Sequence, residues 1–255
     1  MQQSFCTIVI LSSFSTISWA QSSKLLVATG VPSGYDQNGG QHSEVIDLTN
    51  LQLTCDSLQD FPIKVQDAKG ALLESKSMGA VPVICGGRHF GDSSDLNDKC
   101  YFLTGSGYQS IRMVYPDLPV TSSVTWKKED TLWLSHGLKT EFVSFKSSVD
   151  VFVTPGPDLP NDFQNHCMTK INETHIIVIG NSGNTLLVNV QEFAFVEGPK
   201  VKGLQSDNID LGCGVFEHNG RPHVAVGEVY YHGSPWPTRH VLIWDTANDD
   251  WTFGN

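Results

Sequence analysis

The sequence predicts an all-β protein built from small antiparallel sheets that repeat along the chain. Its composition favours strands and tight turns, with 23 glycines, 12 prolines and 10% aromatic residues but only 17% charged residues. Short runs of Val, Ile, Leu, Phe and Thr recur, and no long stretch has the periodicity of an amphipathic helix. Five of these runs end in glycine at intervals of about 50 residues, which indicates a repeat architecture.

Each predicted repeat contains an apolar strand that runs into a glycine. The glycines at this position are Gly30, Gly87, Gly137, Gly180 and Gly227. Only Gly86-Gly87 is a doublet, and the other repeats keep a single glycine. Five copies in register indicate one repeated unit rather than five unrelated turns.

The last repeat also contains an aromatic-x6-Trp pair, formed by Trp244 and Trp251 on either side of a polar turn. Two aromatic side chains that flank a hairpin can meet on one face of a small sheet, where each buries roughly 150–250 Å². The earlier repeats contain weaker versions of this pair: Ile46/Leu53, Tyr101/Tyr108, Phe145/Phe152 and Val188/Phe195.

This combination of a glycine doublet and an aromatic-x6-Trp pair resembles a kelch repeat. Ile84-Cys85-Gly86-Gly87, Gly156-Pro157-Asp158-Leu159-Pro160 and Leu211-Gly212-Cys213 look like the secreted, cysteine-containing, galactose oxidase-like kelch proteins of invertebrates. The resemblance implies a kelch-type β-propeller of about five four-stranded antiparallel blades. The expected inner strands contain Leu72, Val124, Met168 and Val215, and the residues expected to be most buried are Trp133, Ile177, Val178, Val226, Leu242 and Trp244.

We expect the ring to be incomplete. The first repeat opens with its glycine strand at Lys24, and little sequence follows Trp251. One strand needed to complete the first blade is therefore missing, as in a truncated or fragmentary chain. Leu25–Gly30 or Leu242–Trp251 is then predicted to present an open edge, which other chains can pair with.

Residues 1–20 are predicted to be a secretory signal peptide, because an apolar centre is followed by the small residues of Ser18-Trp19-Ala20. The remaining residues, 21–255, would form the propeller as a secreted domain. No later stretch is long and apolar enough to cross a bilayer. The net charge of −11 argues against nucleic acid or an anionic membrane as a partner.

The cysteines fit an oxidising compartment. In a blade, Cys85 and Cys100 would lie on neighbouring antiparallel strands, close enough for a disulfide. Cys167 and Cys213 are one repeat apart and could pair between adjacent blades, which would leave Cys55 unpaired. No Cys-x2-Cys or His-x3-His spacing favours a metal site, so we expect neither a metal nor a cofactor.

Asn172-Glu173-Thr174 is an N-glycosylation sequon in a predicted turn. The turn precedes the strand that begins near Ile176, at a place where a glycan would be tolerated. We therefore predict Asn172 to be glycosylated.

An enzymatic alternative is a galactose-oxidase-like copper radical oxidase. That chemistry needs two imidazoles and two tyrosines around one copper ion. His136 and His166 are the most conspicuous candidates, but each is better interpreted as a turn or strand-end histidine. The Asp-box turns of a sialidase are absent. We therefore expect no catalytic residues.

The favoured hypothesis is an extracellular interaction module that binds a protein or a glycan through the loops of its blades. The long predicted loops are Val31–His42, Arg88–Lys99 and Val229–Thr238. The last of these contains Tyr230, Tyr231 and Trp236, which we predict to contact the partner.

Overall fold

The computed structural model describes residues 24–30, 40–47, 55–57, 59–66, 68–75, 79–89, 95–126, 130–147, 150–201, 204, 210–229, 241–246 and 250–253. Within these ranges the chain forms strands and a single short 3-10 helix, Asn161–Phe163. No helix in the described ranges is long and apolar enough to span a membrane. The predicted signal peptide, residues 1–20, lies outside them and stays a prediction.

The strands form four sheets of four strands and one of three, which we call blades 1 to 5 in chain order. Blade 1 contains β1 (Lys24–Gly30), β2 (Gly40–Asp47) and β3 (Cys55–Ser57). Blade 2 contains β5 (Lys69–Ser75), β6 (Gly79–Cys85), β8 (Lys99–Thr104) and β9 (Gly107–Arg112). A small additional sheet pairs β4 (Val65–Gln66) with β7 (Arg88–His89).

The other three blades are built like blade 2. Blade 3 contains β10 (Ser122–Trp126), β11 (Thr131–His136), β12 (Lys139–Ser147) and β13 (Asp150–Pro155). Blade 4 contains β14 (His166–Lys170), β15 (His175–Gly180), β16 (Thr185–Asn189) and β17 (Ala194–Glu197). Blade 5 contains β18 (Asp210–His218), β19 (Arg221–Val229), β20 (Val241–Asp245) and β21 (Asp250–Phe253).

The inner strands of neighbouring blades contact one another in the order β5, β10, β14 and β18. These strands contain Leu72, Val124, Met168 and Val215, so the predicted inner strands are confirmed. Side chains also connect the blades: Ser123 Oγ donates to Gly70 O at 3.1 Å, and Met168 N donates to Ser122 Oγ at 3.0 Å. The result is the predicted all-β propeller with antiparallel blades, of which four have four strands.

Burial decreases from the middle of a blade outwards. In β15, Ile176 to Gly180 are all buried, because a neighbouring blade covers each face of the sheet. The outer strand β13 has no buried residue. The residues predicted to be most buried are confirmed, since each of the six is at most 5% exposed.

Of the predicted pairs, Trp244/Trp251 and Val188/Phe195 are directly opposite in their hairpins, whereas Tyr101 faces Ser110 instead of Tyr108. Trp244 faces Trp251 and their rings stack, with centroids 6.1 Å apart. The prediction is wrong for Phe145 and Phe152, because a register shift after Phe145 places Val151 opposite it and leaves Phe152 42% exposed. Leu53, from the predicted Ile46/Leu53 pair, lies outside the described residues.

Both predicted disulfides are present. Cys85 and Cys100 face each other on β6 and β8 within blade 2. Cys167 on β14 and Cys213 on β18 join the inner strands of blades 4 and 5. The Cys55 side chain is outside the described part of the chain.

Blade 1 has three described strands, in the order β1-β2-β3. Among the described strands, β1 pairs with β2 alone, so the position that an inner strand occupies in the other blades has no described occupant. The predicted open edge at Leu25–Gly30 stays a prediction. Truncation of the chain remains a prediction.

Candidate functional site

The connections between the second and third strands of the blades all begin at one end of the ring, which we call the glycine-end face. In blades 2 to 5 the inner strands begin at the same end of the ring, because Gly70 contacts Ser123, Ser122 contacts Met168 and Cys167 is bonded to Cys213. The second strands β6, β11, β15 and β19 are antiparallel to these inner strands and therefore end there, and β1 is the corresponding strand of blade 1. These connections differ greatly in length. Blades 1, 2 and 5 have long ones, residues 31–39, 86–98 and 230–240, whereas blades 3 and 4 have only 137–138 and 181–184.

The three long loops predicted from the sequence therefore begin and end on the same face. Their bounds need correction, because Gly40–His42 belong to β2 and Arg88–His89 form β7. The predicted contact residues Tyr230, Tyr231 and Trp236 lie outside the described residues. The structure places only the ends of their loop, Val229 and Val241, on the glycine-end face.

The described part of the blade 2 loop is held in place by Asn97, whose side chain is buried. Its Nδ2 donates to Gly86 O at 2.7 Å and to Lys99 O at 3.1 Å. Gly86 has a φ of 65°, and a Cβ there would collide with the Val120 side chain. The glycine doublet is thus required by both backbone conformation and close packing.

The segment between blades 2 and 3, residues 113–121, is tied to a buried histidine–carboxylate pair. His136 Nδ1 lies 3.2 Å from Leu118 O, and His136 Nε2 lies 3.1 Å from Glu141 Oε1. Glu141 Oε2 accepts a hydrogen bond from Val114 N at 2.6 Å. Both side chains of the pair are 0% exposed. Because a carbonyl oxygen only accepts, Nδ1 is the donor in the contact with Leu118 O.

A second buried pair joins blades 3 and 4. His166 Nε2 lies 2.7 Å from Ser135 Oγ, and His166 Nδ1 donates to Phe163 O at 2.7 Å. Desolvation by burial lowers the pKa of His166 from 6.5 to about 4, so the ring is neutral at pH 7. The Ser135 hydroxyl therefore donates to Nε2.

Serine and histidine at this distance are the elements of an activated nucleophile. Here, however, Ser135 is 0% and His166 only 3% exposed. A substrate would have to separate two blades to reach Ser135 Oγ. The arrangement links the blades and offers no open site for acyl transfer.

The two histidines considered as copper ligands thus lie at strand ends, His136 closing β11 and His166 opening β14. Both ring nitrogens of each are engaged in hydrogen bonds within the protein. In the described ranges, no group of three or more His, Cys, Asp and Glu side chains is arranged to hold a metal ion.

Glu141 and Ser135 were not predicted from the sequence. The sequence does contain a signal for Glu141, which immediately precedes the apolar residues Phe142-Val143 in the strand that returns from the His136 turn. Across this tight hairpin, His136 pairs with Lys139 and Leu134 with Glu141, which puts His136 and Glu141 on one face. Ser135 gave no comparable signal.

A small recess lies at the axis, where the four inner strands converge. It is lined by polar groups of Lys69, Thr121, Ser122 and Ser123 and by the Cys167–Cys213 disulfide. Its volume of about 20 Å³ has room for roughly one water molecule.

Asn172 lies at the opposite face, in the turn between β14 and β15. It is exposed, and its Oδ1 accepts hydrogen bonds from Thr174 N, Thr174 Oγ1 and His175 N, each at 2.9 Å. The sequon therefore occupies a tight surface turn, where the predicted modification would be accommodated.

No family model matches the sequence, and no curated protein matches it. Among solved structures, the chain is similar to a catalytically inactive variant of virginiamycin B lyase from Staphylococcus aureus with quinupristin. The TM-score is 0.53 at 11% sequence identity, and the match covers 91% of this chain and 74% of that chain. At this identity the likeness establishes the fold alone, and that fold is a β-propeller.

Proposed function

We propose that this protein is an extracellular, non-catalytic interaction module of the kelch-propeller type, which binds protein or glycan partners at its glycine-end face. One observation carries the proposal: the long connections of blades 1, 2 and 5 all begin and end at this face. Rigid scaffolds with long loops on one side are a common way to build binding surfaces.

The turns that the structure describes on the opposite face are short, for example residues 105–106, 171–174 and 219–220. A glycan on Asn172 would occupy this face and leave the glycine-end face free. The two ends of the ring are thus suited to different roles.

Two disulfides support an extracellular location, because such bonds persist in oxidising compartments. The predicted signal peptide and the sequon agree with it. A non-catalytic role is supported by the conspicuous polar pairs: His136 with Glu141, and Ser135 with His166, are buried and satisfy one another or the backbone.

The proposal is tested with the secreted full-length protein on a glycan array and against a phage-displayed random peptide library. One variant replaces residues 231–238 by an Asn-Gly turn, which removes the long loop of blade 5. A matched control replaces the turn 105–106 on the opposite face by the same dipeptide. We expect the first change to abolish binding and the control to preserve it.

Three results would contradict the proposal. Binding could survive shortening of each long loop in turn, or no ligand could be found in either library. The third is stoichiometric copper together with hydrogen peroxide production from a primary alcohol, which would favour the oxidase alternative.

A further inference from the structure

The tetrapeptide Pro-Asp-Leu-Pro occurs twice, at residues 116–119 and 157–160, each time in the connection that leads into the inner strand of the next blade. In the second copy Leu159 is 3% exposed and packs in the core between blades 3 and 4. In the first copy Leu118 is 38% exposed. The same local sequence therefore buries its leucine in one place and displays it in the other.

Leu118 is displayed from a backbone that is fixed. Val114 N and Leu118 O are bonded to the buried Glu141–His136 pair, and Leu118 N donates to Tyr115 O at 3.3 Å. The segment is also fixed at its two ends, where Met113 N donates to Asp98 O at 2.9 Å and Thr121 N to Ser135 O at 2.7 Å. A segment held in one conformation loses little entropy when a partner binds to it.

The chemistry of the displayed groups indicates the kind of partner. Val114 is 37% exposed, so the segment exposes two aliphatic side chains, Val114 and Leu118, together with Asp117. Aliphatic groups do not stack on sugar rings as aromatic groups do, but they fit the apolar side chains of a protein. The exposed Asp117 has no ion-pair partner in the described part of the chain and would attract a cation.

We propose that residues 114–119 form a preformed docking site for a protein partner that presents an apolar side chain next to a lysine or arginine. The inference rests on the proposed function and specifies it further. The connection enters β10 from the glycine-end face, beside the start of the blade 2 loop that Asn97 holds. Contacts with Leu118 would anchor the partner.

The test uses the full-length secreted protein and a phage-displayed random peptide library. Selected peptides should be enriched in an apolar residue adjacent to Lys or Arg. Their affinity should fall at least about tenfold for Leu118→Asp. The affinity of the peptides should fall less for Asp117→Asn, and the affinity of this variant should depend less on salt concentration than that of the parent protein.

Val196→Asp is the matched control, because Val196 is an aliphatic residue that is 60% exposed on the outer strand β17. It should leave peptide affinity unchanged. An unchanged melting temperature for Leu118→Asp would show that the loss of binding is not a loss of folding.

Four outcomes would overturn the inference. If peptide binding ignores Leu118→Asp but requires residues 231–238, the docking site is wrong while the proposed function stands. If only glycans bind, the partner class is wrong. If the protein dimerises and Leu118→Asp abolishes the dimer, the occupant is a second copy. If no peptide or glycan binds, the inference and the proposed function both fail.

Discussion

The side chains of His136 and Glu141 meet on one face of the blade 3 hairpin, with Nε2 and Oε1 3.1 Å apart and both side chains fully buried. Besides their contact with each other, Glu141 accepts a hydrogen bond from Val114 N and His136 is hydrogen-bonded to Leu118 O. A carboxylate and an imidazole removed from water are stable only while each has the other. One pair of side chains thus determines the position of a surface segment.

We expect His136→Ala to lower the free energy of unfolding by about 3–5 kcal/mol, because it leaves Glu141 buried without its partner. Glu141→Gln should cost less, since an amide oxygen can still accept from Val114 N–H. Urea unfolding measures both. Arg112→Ala, which breaks the exposed Arg112–Asp98 pair, is the control and should have little effect. Equal effects of all three variants would contradict this prediction.

The depressed pKa of His166 predicts a pH-dependent stability. The unfolded state takes up a proton near pH 6.5, whereas the folded state does so only near pH 4. Between these values the unfolded state binds more protons, so stability falls as the pH is lowered. The loss should reach about 3 kcal/mol by pH 4 and be absent above pH 6.5. Urea unfolding of the parent protein and of His166→Gln across this pH range measures the loss. If the free energy of unfolding depends on pH in the same way for both proteins, the prediction is wrong.

Phe145 and Phe152 should differ sharply in importance, although the sequence pairs them. Phe145 is buried against Phe102, with ring centroids 5.2 Å apart, whereas Phe152 lies at the surface under the Lys146 ammonium. Phe145→Ala should cost about 3–5 kcal/mol of stability. Phe152→Ala should cost much less, and chemical denaturation of the two variants compares them directly. Similar losses would mean that the register after Phe145 is misplaced.

The two copies of Pro-Asp-Leu-Pro make another matched pair. Leu159→Ala should cost about 2–5 kcal/mol, because it leaves a cavity in the core between two blades. Leu118→Ala should change stability by no more than about 0.5 kcal/mol. Thermal unfolding distinguishes them. A large loss from Leu118→Ala would show that this leucine serves packing instead of display.

Asn172 should carry an N-glycan when the protein is secreted from eukaryotic cells. Asn172→Gln and Thr174→Ala should each raise the mobility of the protein in a denaturing gel to that of the enzymatically deglycosylated form. Thr174→Ser retains the hydroxyl of the sequon and should keep the modification. A parent protein insensitive to deglycosylation would contradict the prediction.

The glycine positions and apolar runs were enough to predict the strands and their order within a blade, because both are local properties. The cysteine pairs could be predicted for the same reason, once the strands on which they lie were known to be neighbours. The exposure of Phe152 could not be predicted, because it depends on a register shift between Phe145 and Ser147 that the residue pattern does not indicate.

The buried polar pairs required tertiary information. Glu141 is buried because residues 113–121 and His136 cover it, and Ser135 meets His166 only where two blades touch. Leu118 and Leu159 make the same point, because identical neighbours in sequence lead to opposite exposure. The face of the ring on which the long loops lie could be identified only once the direction of each strand was known.

The disulfide between Cys167 and Cys213 closes a covalent loop between residues 46 positions apart, and this loop contains most of blade 4 and the whole passage into blade 5. A protease that cut one peptide bond in that passage would leave two fragments still joined through sulfur. The nicked chain would migrate as one molecule until a reductant was added, and would then separate. Proteolysis at this place would therefore leave the blades covalently connected.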